Sequence, residues 1–218
     1  MSLVGRLVLF DLDGTLVDSA PGIFSSVRHA AAALGLPAPM PSQLRGMVGP
    51  PLQDGFALVL GVAVADVPRA VDAYREHYAA GAMLDVTVHS GVPELLADLR
   101  DAGAILAVAT SKPEPFAVRV LAHTGLLPCF AGVHGATMDG SVRHKDQVVA
   151  AALAAHPAGR DPVLVGDRSH DVLGAAAHGL PCIGAGWGPA ADGELERAGA
   201  AAIAATPADV LPALAKVG

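Results

Sequence analysis

Two aspartates, Asp11 and Asp13, stand directly after the apolar run at residues 7–10. A short aliphatic run is typical of a buried parallel strand, so both carboxylates are expected at the carboxyl end of that strand. Carboxylates this close repel each other unless a positive charge lies between them, and their hard oxygen atoms favour Mg²⁺. Gly14 then allows a sharp backbone turn, and Thr15 adds a hydroxyl at the same place.

The chemistry that suits this pair is attack on phosphorus. Asp11, the first residue after the strand, is the natural nucleophile for an aspartyl-phosphate intermediate. Asp13 is expected on the leaving-group side, where it would protonate the departing alkoxide and later take a proton from water. A magnesium ion held by Asp11, the backbone carbonyl of Asp13 and Asp167 would neutralise the charge that keeps an anionic nucleophile from an anionic phosphate.

Three later segments add groups that suit a phosphate. Thr110 and Ser111 follow a predicted strand at 105–109, and they can donate hydroxyl and backbone N–H groups to phosphoryl oxygens. Lys145 opens a predicted helix, where a cation opposes the helix dipole, so we assign it to stabilising the phosphate and the nucleophile. Asp171, after Asp167, would hold a metal-bound water or orient Lys145, or it is only an acid favoured in the first turn of a helix.

Two other cations are candidates for binding the substrate. Lys112 could also balance a phosphate, although we interpret it as a solvated loop lysine. Arg45 lies in a loop at 45–51 that glycines and prolines punctuate, and this loop is a candidate for the segment that lowers onto the substrate and excludes water. Arg45 would pair there with a substrate carboxylate or a second phosphate, or it is a solvated arginine in a turn. His170 is interpreted as a surface residue.

The elements that must position these groups follow from the hydrophobic pattern. Between residues 17 and 83 the pattern predicts helices and no convincing strand. From residue 91 onward strand and helix patterns alternate, which predicts right-handed βαβ units and a parallel sheet covered on both faces. Ligands bind outside the carboxyl ends of such strands, so the acids and hydroxyls are expected at one rim. The predicted strands are 7–10, 105–109, 130–133, 163–165, 182–183 and 201–204; the predicted helices are 21–34, 51–60, 66–82, 92–102, 114–123, 145–156 and 171–178.

Composition excludes several classes of function. The chain has 218 residues, 52% of them hydrophobic, which is enough for a sizeable core plus an insertion. Its net charge of −7 offers no basic surface to a nucleic-acid polymer or an anionic membrane. No apolar run reaches the roughly 18 residues of a membrane span, and the residues before the first strand are too few for a signal peptide. Cys129 and Cys182 form no disulfide framework, so a cytoplasmic location is expected.

With these residues in this order, the chain resembles the haloacid-dehalogenase-like superfamily. Its four ordered motifs are matched by the pentapeptide at 11–15, by Thr110 and Ser111, by Lys145 and by residues 166–171. The resemblance implies an α/β fold with a Rossmann-like, doubly wound parallel sheet. In this fold, residues 1–16 and 88–218 form the core, and residues 17–87 form a helical cap inserted after the first motif.

The resemblance also implies a function and a set of site residues. It points to the phosphoglycolate phosphatase and 5′-nucleotidase-like branch, with Mg²⁺-dependent phosphoryl transfer through Asp11. Together with the residue patterns above, this gives Asp11, Asp13 and Lys145 as expected catalytic residues, Thr110, Ser111 and Arg45 as expected substrate-binding residues, and Asp11, Asp13, Asp167 and Asp171 as expected metal ligands. We expect a small phosphorylated metabolite as substrate and a monomer or homodimer.

Several alternatives remain open at this stage. A 5′-nucleotidase would need room and a stacking surface in the cap, where Phe56, Tyr74 and Tyr78 are available. A phosphosugar mutase of the β-phosphoglucomutase type would share the same acids. A protein that only binds phosphate is less favoured, because it gains nothing from Asp13 as a proton shuttle. Asp13 also argues against a dehalogenase, since a departing halide needs no general acid.

Overall fold

The computed structural model describes residues 3–217. Met1, Ser2 and Gly218, which form the outer limits of the predicted core, lie outside the described residues. The strands are β1 (Arg6–Phe10), β2 (Val17–Asp18), β3 (Thr87–Val88), β4 (Ile105–Pro113), β5 (Gly132–Ala136), β6 (Arg160–Gly166), β7 (Cys182–Ala185) and β8 (Ala202–Ala204). The helices are α1 (Ala20–Ala33), α2 (Pro41–Gly46), α3 (Leu52–Asp54), α4 (Val67–Ala79), α5 (Val92–Asp101), α6 (Glu114–His123), α7 (Lys145–Ala155), α8 (Ser169–Ala176), α9 (Glu194–Ala198) and α10 (Val210–Leu214).

Six strands form one parallel sheet in the order β5-β4-β1-β6-β7-β8. The predicted α/β fold with a parallel sheet is therefore confirmed. Successive side chains of β1 point to opposite faces, as the pleat requires. Leu7 and Leu9 join an apolar core with α7 and α8, whereas Val8 and Phe10 join the core that includes α5, α6 and α10. This burial on both faces explains why β1 is apolar at every position but its first.

Between β1 and β4 the chain forms a group of helices, residues 17–87, which we call the helical insertion. Its two long helices, α1 and α4, present apolar residues at helical spacing to each other, including Ile23, Val27, Val71 and Tyr74. The short strands β2 and β3 pair antiparallel where the chain enters and leaves this group. The helical insertion is thus joined to the sheet by two adjacent strands.

Two expectations about the helical insertion were wrong. Val17–Asp18 is a strand, although no strand was predicted there, because a two-residue strand is too short to show a periodic pattern. Residues 41–46 form α2, although no helix was predicted over them and residues 45–51 were predicted as a loop. Two local features stabilise the start of α2. Proline stands at its first position, and the side chain of Gln43, two residues later, accepts a hydrogen bond from Met40 N at 3.0 Å.

The predicted ends of other elements also shifted. The helix predicted at 51–60 is α3 followed by one π-helical turn, Gly55–Val59. Helix α4 is shorter than the helix predicted at 66–82, and a 3-10 turn lies before it and another after it. β4 runs to Pro113 instead of ending at residue 109, because β5 continues to pair with it at Thr110 and Pro113. Among residues 3–217, no helix combines the length and the apolar character that a membrane span would need.

Candidate active site

The carboxyl ends of β1, β4 and β6 bring the predicted site residues to one rim. β1 is the strand at which the sheet reverses its order, with β4 on one side and β6 on the other. Such a switch point is where ligands bind in open parallel sheets. Asp11 N donates to Val165 O at 2.9 Å, which extends the pairing with β6 by one residue and fixes Asp11 beside Asp167.

Three buried aspartates form an acidic cluster at this rim: Asp11, Asp167 and Asp171. Each offers a carboxylate oxygen, and these oxygens lie within 4.8 Å of one another. Burial raises the pKa of Asp11 to about 6, although Lys145 opposes this effect. Burial and the neighbouring carboxylates also raise the pKa of Asp167 well above its usual range. Burial is the largest cause of both shifts, so ionising these carboxylates together is unfavourable unless a positive charge compensates them.

The surroundings of Asp167 fit a bound cation. Thr15 Oγ1 donates to Asp167 Oδ1 at 2.6 Å, but the buried Oδ2 has no hydrogen-bond partner among residues 3–217. Gly14 has a φ of +90°, and a Cβ there would lie 2.5 Å from that Oδ2, so only glycine leaves the space open. A buried, unpaired carboxylate oxygen is costly, and hard oxygen donors suit a divalent ion such as Mg²⁺.

Lys145 supplies the positive charge inside the acidic cluster. Its Nζ lies 2.6 Å from Asp11 Oδ1 and 2.7 Å from Asp171 Oδ1, and it donates to Ala109 O at 2.9 Å. Burial alone would lower the pKa of Lys145, but the two carboxylates outweigh it and raise the pKa. Arg168 N donates to Asp171 Oδ2 at 3.0 Å. These contacts support two of the alternatives for Asp171 together: one oxygen orients Lys145, and the other stabilises the first turn of α8.

Lys112 is not a solvated loop lysine, and that expectation was wrong. The residue is only 8% exposed, and its Nζ lies 2.6 Å and 2.5 Å from the two carboxylate oxygens of Asp13. The same Nζ is 5.1 Å from the centre of the Tyr78 ring. Pro113 is the signal that sequence reasoning passed over, because a residue before proline is held extended and so continues the strand.

Asp11 and Asp13 open onto a cavity of about 60 Å³ between the sheet and the helical insertion. The sheet side also contributes Thr110, Ser111, Lys112 and Phe116, and the helical insertion contributes Ile23, Met47, Gly49, Pro50, Leu52, Tyr74 and Tyr78. The Oγ of Ser111 and the hydroxyl of Tyr78 are buried and have no partner in the described part of the chain. These two groups are available to hydrogen-bond a ligand.

One predicted site residue lies apart from the rest. Arg45 is exposed in the last turn of α2 and does not line the cavity. A cation there interacts favourably with the helix dipole, whereas Leu44 on the other side of the helix is buried. Met47, Gly49 and Pro50 from the following loop reach the cavity instead. His170 is exposed, as expected.

The sequence has relatives with several different names. The chain is 48% identical over 185 residues to "Tyrosine-protein kinase PtkA" of Mycobacterium tuberculosis, a match that covers 84% of this chain. The match spans only 62% of the length of PtkA. A "5'-nucleotidase" of Pseudomonas aeruginosa is 39% identical over 189 residues, which is 86% of each chain.

Solved structures and a family model agree with the predicted family. The structure of a predicted phosphatase from Clostridium acetobutylicum superposes with a TM-score of 0.93 at 34% identity, covering 98% of this chain and 99% of that one. The model of the haloacid dehalogenase-like hydrolases matches residues 8–185, a range that contains the whole acidic cluster and both buried lysines. The chain therefore belongs to the haloacid dehalogenase-like hydrolase family.

Proposed function

We propose that this chain is a magnesium-dependent phosphatase that hydrolyses a small phosphomonoester through an aspartyl-phosphate on Asp11. The observation that carries this proposal is the buried acidic cluster, with Lys145 inside it and a covered cavity beside it. A phosphoryl group in the cavity would meet a fixed carboxylate on one side. It would also meet hydrogen-bond donors from Thr110 and Ser111.

The residues divide the reaction between them. Asp11 attacks phosphorus, forming a P–O bond as the bond to the substrate's alkoxide breaks, and Asp13 protonates that alkoxide. Water then attacks the same phosphorus and gives its proton to Asp13, which releases phosphate and regenerates Asp11. Lys145 holds one oxygen of Asp11 throughout and compensates charge at the nucleophile.

Asp11, Asp167 and the backbone carbonyl of Asp13 are the proposed magnesium ligands, and Asp171 acts through Lys145 and water. When bound, the ion supplies positive charge that reduces repulsion between nucleophile and phosphate. We further propose that the helical insertion acts as a cap. A cytoplasmic location and a monomeric or homodimeric state stay predictions.

The cavity favours a small leaving group that carries a negative charge, such as the glycolate of 2-phosphoglycolate. The cavity offers about 60 Å³ to the centres of water-sized molecules, room for roughly four to six waters, which favours a compact leaving group. The free hydroxyl of Tyr78 lies on the cavity wall and is available to a substrate carboxylate, and Lys112 on the same wall would share its ammonium group between that carboxylate and Asp13. Ile23, Met47 and Leu52 of the helical insertion add apolar contacts to this wall, and these side chains offer no hydrogen bond to a highly hydroxylated sugar.

The alternatives require a more open cavity. For a nucleotide to bind, a base would need a free aromatic face. Tyr74 and Tyr78 instead stack on each other at 5.3 Å, and Phe116 meets Tyr78 edge-on at 5.7 Å. A phosphosugar mutase would pass the phosphoryl group from Asp11 to a second sugar, and a tyrosine kinase would pass it to a protein side chain. Both acceptors are bulkier than water, so each would need the helical insertion to move away from the rim.

The proposal is tested by assaying a panel of phosphorylated metabolites with Mg²⁺ and with EDTA, in the wild type and in Asp11→Asn. We expect phosphate release from 2-phosphoglycolate that EDTA abolishes and that Asp11→Asn lowers by about 10⁴-fold or more. Thermal unfolding of the variant checks that it folds.

Retained turnover in Asp11→Asn would remove Asp11 as the nucleophile. Faster hydrolysis of nucleoside monophosphates than of 2-phosphoglycolate would indicate a nucleotidase instead. Transfer of label from ATP to tyrosine without phosphate release would indicate a kinase. Transfer of the phosphoryl group to a sugar would indicate the mutase.

A further inference from the structure

Arg168 links the acidic cluster to the helical insertion. It stands between Asp167 and Asp171 in the sequence, and its backbone N–H donates to Asp171 at 3.0 Å. Its side chain leaves the cluster and reaches across to the helical insertion, where Nη1 donates to Val48 O. One residue therefore contacts both the group that orients Lys145 and the loop that covers the cavity.

Glu194 fixes the direction of the Arg168 side chain. Arg168 Nε donates to Glu194 Oε1 at 2.9 Å, and the same oxygen accepts from Ser169 N at 2.9 Å. Partial burial raises the pKa of Glu194, but these hydrogen bonds outweigh it and lower the pKa to about 2. Glu194 is thus ionised at neutral pH, and the guanidinium is held in one orientation before it meets the loop.

The loop that Arg168 contacts is shaped to receive it. Gly49 has a φ of +104°, and a Cβ there would lie 2.9 Å from Arg168 Cγ. Glycine allows this turn and also lets the loop wrap closely around the arginine stem. Met47 and Pro50, on either side of this contact, line the cavity above Asp11 and Asp13.

We propose that Arg168 is a positioning residue that holds the 47–50 loop over the cavity while its backbone holds Asp171, so that the cavity closes around an ordered acidic cluster. A bound substrate that draws the 47–50 loop closer to the cavity would complete the site and exclude water from the cavity. This inference rests on the proposed function, since closure matters only if the cavity binds a phosphorylated ligand.

The chain carries its own reporter of this closure. Trp187 is the only tryptophan in the sequence, and its Nε1 donates to Thr15 O at 2.9 Å. Trp187 and Val48 line a second cavity, of about 200 Å³, together with Asp18 and Ser19 at the entry to the helical insertion. Release of the loop would uncover Trp187, so quenching of its fluorescence by acrylamide measures opening.

Arg75 offers a matched control. Its Nη1 donates to Met138 O at 2.7 Å. Like Arg168, Arg75 therefore joins the helical insertion to the rest of the chain through a backbone carbonyl. This contact is exposed and lies away from the acidic cluster. Arg75→Met therefore removes the same type of interaction without affecting the 47–50 loop.

The experiment compares wild type, Arg168→Met, Arg168→Lys and Arg75→Met by acrylamide quenching with Mg²⁺ and vanadate, and by kcat and KM. We expect vanadate to protect Trp187 in wild type and Arg75→Met. In Arg168→Met this protection should be lost, and KM for 2-phosphoglycolate should rise at least tenfold. Arg168→Lys should restore part of both effects, because one donor to Val48 remains.

Equal losses in Arg75→Met and Arg168→Met, or full protection in Arg168→Met, would overturn the inference. Protection that depends on Arg168 in a protein without phosphatase activity would leave the inference standing and reject the proposed function. If hydrolysis depends on Asp11 but is unchanged in Arg168→Met, the proposed function stands and the inference about Arg168 is rejected.

Discussion

Lys145 and Lys112 are two buried cations at the same rim, each bound to one of the two aspartates that follow β1, but their surroundings differ. Lys145 lies deep in the rim, where two carboxylates and a backbone carbonyl share its ammonium group. Lys112 lies at the leaving-group side, where it is paired with the single carboxylate of Asp13 and faces the helical insertion. On the proposed mechanism, the deep lysine serves the phosphoryl group, which every substrate shares, and the outer lysine faces the part that varies. The proposal therefore assigns reaction type and substrate choice to different lysines of this site.

Lys145→Met tests the deep half of this comparison and has the largest expected effect. Without the ammonium group, Asp11 and Asp171 would be buried next to each other uncompensated. We expect kcat to fall on the order of 10³-fold with any phosphomonoester. The unfolding temperature should also fall in the absence of Mg²⁺, and both quantities are measured on the same preparation. A loss confined to substrates with a carboxylate would contradict the assignment.

Asp13→Asn tests the boundary between the two halves. An alkoxide leaving group needs a proton, so we expect turnover of 2-phosphoglycolate to fall by roughly 10²-fold or more. Turnover of p-nitrophenyl phosphate should change much less, because its phenolate departs without an acid. The ratio of the two rates is the measurement. Equal losses for both compounds would mean that Asp13 is not the general acid.

Lys112→Met tests the outer half and has the smallest expected effect. A hydrogen bond to a charged group contributes about 1.5–3 kcal/mol, so kcat/KM for 2-phosphoglycolate should fall about 10- to 100-fold relative to ethyl phosphate. Ethyl phosphate is the control because it has a similar size and no carboxylate. If the ratio of the two substrates does not change, Lys112 supports Asp13 and does not recognise the substrate.

Much of the fold and of the site was predictable because the informative patterns are local. The apolar run at 7–10 and the alternation after residue 91 predicted the parallel sheet, and the positions of Asp11 and Asp167 after their strands predicted that they meet. The bounds of α6 were predicted to the residue, since charged and apolar positions recur at helical spacing. The helical insertion was less predictable, because β2 forms by pairing with the distant strand β3 and α2 is only six residues long.

The lysines show the same limit at the level of single residues. Lys145 was identified because a cation at a helix start is unfavourable locally and so indicates a role. Lys112 looked ordinary, because nothing in its own segment shows that Asp13 lies 99 positions away in sequence and 2.6 Å away in space. Arg45 was a reasonable candidate for binding substrate because of its charge, but it lies exposed to solvent in the last turn of α2. Arg168 drew no attention, because its partner Val48 contributes a backbone carbonyl that no sequence pattern marks.

The sequence by itself determined which groups sit at the ends of which strands, since residue type and local pattern suffice for that. The tertiary structure alone decided how charge is balanced between them: which lysine faces which aspartate, and which carboxylate oxygen stays without a partner. The physical reason is that the energy of a buried charge depends on neighbours within a few ångströms, and these come from segments far apart in the chain.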